Sequence, residues 1–232
     1  MKRHIKDQLL AARANETAVA LVTDLTGGEQ SLLTETSFQG DLALESDALD
    51  QARSMLHDER SGSLAAGERR LFVRVYSLPW RMVVVGAVHI TQHLSPMATM
   101  AGYAVTIVDP RQAFATADRF PGQRLNTQWP DELFAAEPPD RHTAIVTLTH
   151  DPKIDDPALE VALRSPAFYV GSLGSRKTHS LRLERLAESG FGPDDVARIH
   201  APIGLDLGGR SPAEIAVAVL AQVIQARHRG RR

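Results

Sequence analysis

The sequence predicts an α/β protein in which a doubly wound parallel sheet follows a small N-terminal α+β domain. From Arg81 onward, short apolar runs typical of buried strands alternate with segments of helical spacing. The connections between these segments are short, as expected when helices return the chain to neighbouring parallel strands. Before Ser77 to Trp80 the order is instead helix, strand, strand, helix, strand. We therefore divide the chain into domains 1–78 and 79–232.

In the first domain we expect elements whose apolar residues follow the periods of helices and strands. In chain order they are a helix at 3–14, strands at 17–22 and 31–36, a helix at 47–58 with Ser46 as its N-cap, and a strand at 71–76. A break is expected at 61–67, where small and turn-forming residues gather. No chemical motif occurs in this domain.

In the second domain the predicted strands and helices alternate. The strands are expected at 82–86, 104–109, 143–148 and 167–170, and the helices at 91–101, 156–163, 176–188 and from 211 onward. Residues 110–142 are less regular, with a short strand and a helix near 124–136. The last helix opens on Ser211-Pro-Ala-Glu214, a capping box with proline at the first helical position.

Composition excludes several classes of protein and site. The chain has 232 residues, enough for a real core, and a formal net charge of -2, which gives no general attraction to nucleic acid or anionic membranes. No apolar run is long enough for a membrane helix, and no signal peptide is expected. Cysteine is absent, which excludes disulfides, thiolate metal sites and cysteine nucleophiles. We expect a cytoplasmic protein without a nucleic-acid or membrane partner.

The segment that points most directly to a ligand is a glycine- and serine-rich turn between a buried strand and a helix. Such a turn directs unpaired backbone N–H groups and the positive end of the helix dipole at one point. Two cations at the helix start favour a phosphate-bearing ligand, although an ordinary strand-to-helix connection has the same local pattern. The candidate residues are Gly171, Ser172, Gly174, Ser175, Arg176 and Lys177; we call this segment the 171–177 turn.

A second candidate site follows the first strand of the predicted parallel sheet. Gly86 stands where a dinucleotide fingerprint begins, and Asp109, 23 positions later, matches the carboxylate that binds a ribose hydroxyl. Val88 and Thr91, however, occupy the positions of the other two glycines. A Rossmann-like fold without a bound dinucleotide is therefore favoured, and an NAD(P) site is the alternative.

Other polar residues follow the predicted strand ends, where open α/β sheets bind ligands. Each could simply be a polar residue at the start of a loop, but together they indicate a pocket along one edge. These residues come from different loops and do not have the spacing of metal ligands. A binding role is therefore favoured over metal ligation or acid–base catalysis. These candidates are His89, Asp109 with Arg111, His150 with Asp151, and Asp206.

Several runs together resemble the XdhC/CoxI family of xanthine dehydrogenase accessory proteins, over roughly the C-terminal two-thirds of the chain. The matching runs are Val85-Gly-Ala-Val-His89, Val108-Asp-Pro-Arg111, Thr149-His-Asp151, Asp156-Pro-Ala-Leu-Glu160, Tyr169-Val-Gly-Ser-Leu-Gly-Ser-Arg-Lys-Thr-His179, Ile199-His-Ala-Pro-Ile-Gly-Leu-Asp206 and Ser211-Pro-Ala-Glu-Ile-Ala216. The resemblance implies a Rossmann-like domain that binds molybdenum cofactor and helps its sulfurated form enter a xanthine dehydrogenase-type molybdenum hydroxylase. It also implies a homodimer and a cysteine desulfurase as a further partner. Molybdopterin, with a terminal phosphate or a nucleotide diphosphate, is then a ligand for the 171–177 turn.

The sequence departs from the family in two places. Val88 replaces a fingerprint glycine, and residues 1–80 lack the Gly-Gly-Cys motif and the Ser-x-Pro-Arg-like segment of the family's N-terminal domain. A sulfur- or molybdenum-ligating step that needs that cysteine cannot be performed by this polypeptide. We therefore expect a non-catalytic cofactor chaperone. The alternatives are an NAD(P)-dependent oxidoreductase and a docking module for a molybdoenzyme that has lost cofactor binding.

Overall fold

The computed structural model describes residues 2–15, 17–67 and 69–229. The chain forms two compact units, Met1–Leu78 and Pro79–Arg232. Each unit has its own sheet and its own buried apolar clusters.

The first unit is built on an antiparallel sheet with strand order β3-β2-β1-β5-β4. Its elements in chain order are α1 (Arg3–Ala14), β1 (Val19–Asp24), β2 (Gln30–Leu33), β3 (Phe38–Gly40), α2 (Ser46–His57), β4 (Gly62–Ala66) and β5 (Arg69–Tyr76). Alternate residues of β1 face opposite sides of the sheet. Ala20 and Val22 belong to the cluster that includes α2, whereas Val19 and Leu21 belong to the cluster that includes α1. The two helices therefore cover opposite faces.

The first unit differs from the sequence-based expectation in its short strands and in one helix cap. Strands β3 and β4 were not expected, and β4 lies inside the predicted break at 61–67. Only Leu64 of β4 is fully buried, so backbone pairing with β5, not side-chain pattern, holds this strand. Ser46 is the first residue of α2, and Glu45 occupies the cap position without a side-chain cap bond. The N-cap prediction was therefore wrong by one residue.

The second unit confirms the expected doubly wound parallel sheet. Its elements are β6 (Trp80–Val85), α3 (His89–Met100), β7 (Tyr103–Val108), β8 (Arg124–Asn126), α4 (Pro130–Ala136), β9 (Thr143–Thr147), α5 (Pro152–Arg164), β10 (Tyr169–Ser172), α6 (Arg176–Glu188), α7 (Pro193–Val196), β11 (Ile199–His200) and α8 (Pro212–Arg229). All strand pairs are parallel, in the order β8-β7-β6-β9-β10-β11. This is the strand order of a Rossmann fold, which places a ligand crevice between the exits of β6 and β9.

Helices cover both faces of the parallel sheet, which explains the continuous apolar runs in its central strands. Leu94 of α3 and Val219 of α8 pack in the cluster on one face, and Leu159 of α5 and Leu186 of α6 pack in the cluster on the other. Every residue of β9 is buried. Both faces are therefore part of the core, and functional groups are concentrated at the strand ends.

Several boundaries in the second unit differ from the prediction, by four residues at the start of α5 and by one or two elsewhere. Helix α3 begins at His89, two residues earlier than expected, and β10 extends through Gly171 and Ser172. Helix α5 begins at Pro152 because the side chain of Asp151 accepts a hydrogen bond from the Lys153 N–H and proline fits the first helical position. The short elements α7 and β11 were not predicted, since four and two residues carry too little periodicity.

The aromatic contact at β11 leads to a pH prediction. The His200 ring stacks on Tyr169 at a centroid separation of 4.7 Å, and burial, with a smaller contribution from Arg229, lowers the pKa of His200 below 6.5. The unfolded chain therefore binds the proton more readily, and stability should fall as the pH drops below about 6.5. Thermal unfolding between pH 7 and pH 5 should show a smaller loss of stability for His200→Phe than for the wild type. As a control, His93→Phe replaces an exposed histidine and should lose as much stability between pH 7 and pH 5 as the wild type. If His200→Phe also loses as much as the wild type, His200 does not cause the pH dependence.

Candidate functional site

Gly86 shapes the crevice at the exits of the two central strands. Its φ of +117° lies in the region that favours glycine, and an added Cβ would lie 2.8 Å from Cγ2 of Thr149 and 3.3 Å from its backbone nitrogen. The Gly86 N–H donates to the Val108 carbonyl over 2.8 Å, and the Thr91 hydroxyl donates to the Gly86 carbonyl. The chain thus leaves β6 pressed against the loop after β9, without space for a side chain.

Asp109 is fully buried at the end of β7 and its carboxylate is saturated with hydrogen bonds. One oxygen accepts from the Ala87 N–H and from Nη2 of Arg111, both over 2.8 Å. The other accepts from the Arg111 N–H at 3.0 Å and from Nε of Arg111 at 2.9 Å. Burial alone would raise the pKa of Asp109, but the guanidinium and the two N–H groups outweigh it, and the pKa lies below 3.8. Asp109 therefore connects the exits of β6 and β7.

The segment after β9 is organised around Asp155, which sequence reasoning missed. The Thr149 hydroxyl donates to one oxygen of Asp155 over 2.7 Å, and the His150 N–H donates to the other over 3.1 Å. Burial raises the pKa of Asp155. His150 itself is exposed and has a φ of +64°, a strained backbone region for histidine. Its neighbour Asp151 acts as the N-cap of α5.

The 171–177 turn has the form that its sequence predicts. Gly171 lies at the end of β10 where a Cβ would be 2.6 Å from the Tyr169 hydroxyl, and Gly174 has a φ of +148°. The Ser175 side chain accepts a hydrogen bond from the Thr178 N–H over 3.2 Å and caps α6. Because the first N–H groups of a helix lack intrahelical partners, this end attracts anions.

The charges at this helix start are exposed, whereas a third cation lies beneath it. Arg176 and Lys177 are both exposed, and the first turn of α6 contains no acidic residue. Arg182, further along α6, is only 2% exposed, and its Nη2 donates to the Leu173 carbonyl of the turn over 3.0 Å. Sequence analysis missed Arg182 because an arginine in an amphipathic helix ordinarily lies on the solvent side.

The predicted site residues do not form one cluster. Asp109, Arg111 and the loop after Gly86 form one connected group, and His150 and Lys177 border the same cavity beside α6. Two further candidates belong to neither of these groups: the exposed His89, the first residue of α3 and next to the loop after Gly86, and Asp206 in the segment between β11 and α8. Ser172 is buried and lies within hydrogen-bond distance of the Thr147 hydroxyl, so it belongs to the sheet.

Two structural features are absent from the described ranges 2–15, 17–67 and 69–229. In these ranges no group of three or more histidine, aspartate and glutamate side chains is arranged to hold a metal ion. No helix in the same part of the chain has the length and apolar character needed to cross a membrane.

Among curated proteins, three relatives match parts of this chain. It is 30% identical over 173 residues to the uncharacterized protein YqeB of Escherichia coli K12, an alignment that covers 72% of this chain and 31% of YqeB. It is 39% identical over 88 residues to the molybdenum cofactor insertion chaperone PaoD of the same organism, covering 38% of this chain and 28% of PaoD. A probable xanthine dehydrogenase subunit from Bacillus subtilis 168 is 31% identical over 150 residues, covering 64% of this chain and 43% of that protein. The chain thus spans less than half the length of each relative.

A solved structure extends the likeness of the fold to the first unit. The crystal structure of a xanthine dehydrogenase from Bacillus halodurans aligns with 97% of this chain and 66% of its own, with a TM-score of 0.73 and 21% sequence identity. This likeness supports the fold alone. The model of the XdhC Rossmann domain matches residues 82–223, which run from β6 into α8 and make up more than half of the chain. The resemblance identified from the sequence motifs is therefore confirmed, and the chain belongs to the XdhC Rossmann-domain family.

Proposed function

We propose that this protein is a non-catalytic accessory protein that binds molybdenum cofactor and assists its delivery to a xanthine dehydrogenase-type molybdenum hydroxylase. The family and the names of two relatives, PaoD and the probable xanthine dehydrogenase subunit of Bacillus subtilis, support a role around this cofactor. The observation that carries the proposal is the 171–177 turn, an anion-attracting helix start at the ligand-binding edge of a Rossmann sheet.

The residues at the turn fit the phosphate end of such a cargo. A terminal phosphate is rich in acceptor oxygens, and the helix start offers N–H groups together with the exposed Arg176 and Lys177. Gly86 leaves the crevice floor free of a side chain, and the partly exposed Arg111 stands beside it. The cargo supplies the molybdenum centre; this chain, which contains no cysteine, supplies no thiolate to it. Its residues hold, orient and shield the cofactor.

Binding of molybdopterin should depend on the two exposed cations of the turn. Arg176→Ala combined with Lys177→Ala removes two charge-assisted contacts, and we expect the Kd to rise by roughly tenfold or more. Isothermal titration of folded full-length protein with molybdopterin and with its nucleotide form measures this. Lys6→Ala combined with Arg13→Ala removes two exposed cations from α1 and should leave the Kd unchanged. If the folded wild type binds neither form, the proposal fails.

The assembly and location of the protein are part of the same proposal. We propose a cytoplasmic homodimer that contacts the target molybdoenzyme and a cysteine desulfurase. Co-purification from cells, followed by mass spectrometry of the retained small molecules, tests these associations. A retained pterin supports the chaperone, whereas recovery of the molybdoenzyme with no pterin favours the docking module.

An NAD(P)-dependent oxidoreductase remains a second candidate because Gly86 and Asp109 occupy fingerprint positions in a Rossmann sheet. The geometry favours it less. Both oxygens of Asp109 are already used by Ala87 and Arg111, so accepting ribose hydroxyls would require breaking those bonds. Fluorescence titration with NADH and NADPH distinguishes the candidates, since only the oxidoreductase requires nicotinamide binding.

A further inference from the structure

A cavity lies between the start of α5 and helix α6 and shares Lys177 with the 171–177 turn. Its volume is about 230 Å³, and the residues that line it come from the α5 start and from successive turns of α6. They are His150, Pro152, Asp155, Asp156, Lys177, Thr178, Leu181, Arg182 and Arg185. At about 30 Å³ for each water in the liquid, this space exceeds that of the five heavy atoms of a phosphate ion.

Arg182 lines this cavity with an incompletely bonded guanidinium. The side chain is 2% exposed, and Nη2 donates to the Leu173 carbonyl. Its Nε and Nη1 are buried and have no hydrogen-bond partner anywhere in the part of the chain that the structure describes. Buried polar groups are normally bonded, and a buried cation is costly unless it is paired, so these two donors require an explanation.

The carboxylates of the cavity already have other partners. Asp156 receives a two-pronged contact from Nε and Nη2 of Arg185. Both oxygens of Asp155 accept hydrogen bonds from the segment after β9, namely from the Thr149 hydroxyl and the His150 N–H. Burial raises the pKa of Asp155, and the nearby charge of Arg182 acts in the opposite direction.

Beside the Asp156–Arg185 pair, the cavity has two further cations, Lys177 and Arg182, and one further carboxylate, Asp155, which interacts electrostatically with Arg182. Lys177 stands exposed at the rim, and Arg182 lies at the base beneath the turn. The side chain of Thr178 is also part of the wall and provides a hydroxyl. Nε and Nη1 lie on different edges of the guanidinium, so either one can donate a single charge-assisted hydrogen bond to an oxygen of an oxyanion in the cavity.

We propose that the cavity between α5 and α6 binds one tetrahedral oxyanion of phosphate size, held by the guanidinium of Arg182 with Lys177 at the rim. The inference shares Lys177 with the function proposed above but does not require it, because a free inorganic ion satisfies the same donors. The oxyanion has two possible sources of the same chemistry: inorganic phosphate, and the terminal phosphate of a larger ligand that enters past the turn.

The primary experiment uses inorganic phosphate with the full-length protein. Equilibrium dialysis with radiolabelled phosphate should show one site per chain, and phosphate at roughly ten times its Kd should raise the melting temperature by about 3 °C relative to chloride of equal ionic strength. Arg182→Met, which keeps the bulk but removes the donors, should abolish both effects. Arg164→Met removes an exposed arginine from the far end of α5 and should preserve them.

A second variant keeps the inference testable if Arg182→Met does not fold. Arg182→Lys retains the charge but loses the planar guanidinium donors, and we expect phosphate to bind roughly tenfold more weakly. Absence of phosphate binding by the folded wild type, or undiminished binding by Arg182→Lys or Arg182→Met, overturns the proposal.

Competition then identifies the source of the oxyanion. Displacement of phosphate by molybdopterin shows that the cavity holds the phosphate end of that ligand, and simultaneous binding shows that it holds a free ion; both results support the site. If molybdopterin does not bind but phosphate does, the cofactor proposal fails and the oxyanion site stands.

Discussion

Gly86→Ala should destabilise the Pro79–Arg232 unit by about 3 kcal/mol, as measured by urea unfolding. The substitution combines two costs. The backbone at φ +117° is unfavourable for any residue with a Cβ, and that Cβ would lie 2.8 Å from Cγ2 and 3.3 Å from the nitrogen of Thr149. Relief of the clash requires separation of the β6 and β9 exits, where the central strands pair. Ligand binding at the crevice should weaken together with stability.

Gly122→Ala is the matched control for this prediction. Gly122 also has a positive φ, +72°, and belongs to the same unit, but an added Cβ would meet no atom within 4 Å. The Gly122→Ala variant should therefore lose only about 1 kcal/mol of stability, the cost of the backbone conformation. Equal losses of stability in Gly86→Ala and Gly122→Ala would show that the contact with Thr149 contributes nothing to the effect at Gly86.

Asp109→Asn should also cost about 3 kcal/mol, because it removes the charge that neutralises Arg111 while leaving the shape of the side chain. The amide offers one acceptor oxygen where the carboxylate has two, so the guanidinium loses one of its two contacts, and either the Ala87 N–H or the Arg111 N–H loses its partner. Glu137→Gln is the control, since its ion pair with Arg124 is exposed and should contribute less than about 1 kcal/mol. Urea unfolding at pH 7 measures both variants, and similar small losses would contradict the structural role of Asp109.

The same variant has a defined pH dependence. The pKa of Asp109 is lower in the folded protein than the ordinary value of 3.8, so its contribution is fully present above that pH. The contribution is lost as the pH falls through the folded pKa. The stability difference between wild type and Asp109→Asn should therefore stay constant from pH 7 to pH 5 and narrow below about pH 4.

The elements that the sequence predicted well are those whose own residues determine them. Strand β6 and strand β9 are continuous apolar runs because both faces of the sheet are covered, and such runs are visible in a single sequence. Strand β4, in contrast, depends on pairing with β5, and β11 depends on pairing with β10. Pairing between distant segments leaves little trace in the local pattern. A different cause, a local one, explains why α5 was placed four residues late: Pro157 within it resembles a helix start.

The candidate site was predictable where one continuous segment builds it. The 171–177 turn was recognisable because glycine, serine and two cations follow one another at a strand-to-helix junction. Asp155 and Arg182 were not recognisable from the sequence. Both are buried and bond to segments that only folding brings near them, Asp155 to the segment after β9 and Arg182 to the segment after β10. A buried arginine and an exposed one have the same sequence signature.

The bonds of Asp109 also bear on the entropy of ligand binding. The carboxylate fixes the Ala87 amide and the Arg111 side chain, which belong to different loops, before any ligand arrives. Ordering a loop on binding normally subtracts from affinity. At this edge of the sheet that ordering is already complete when the chain has folded, so the crevice floor is a preorganised surface. Affinity there is set by the contacts a ligand makes, with little lost to immobilising the loops beneath it.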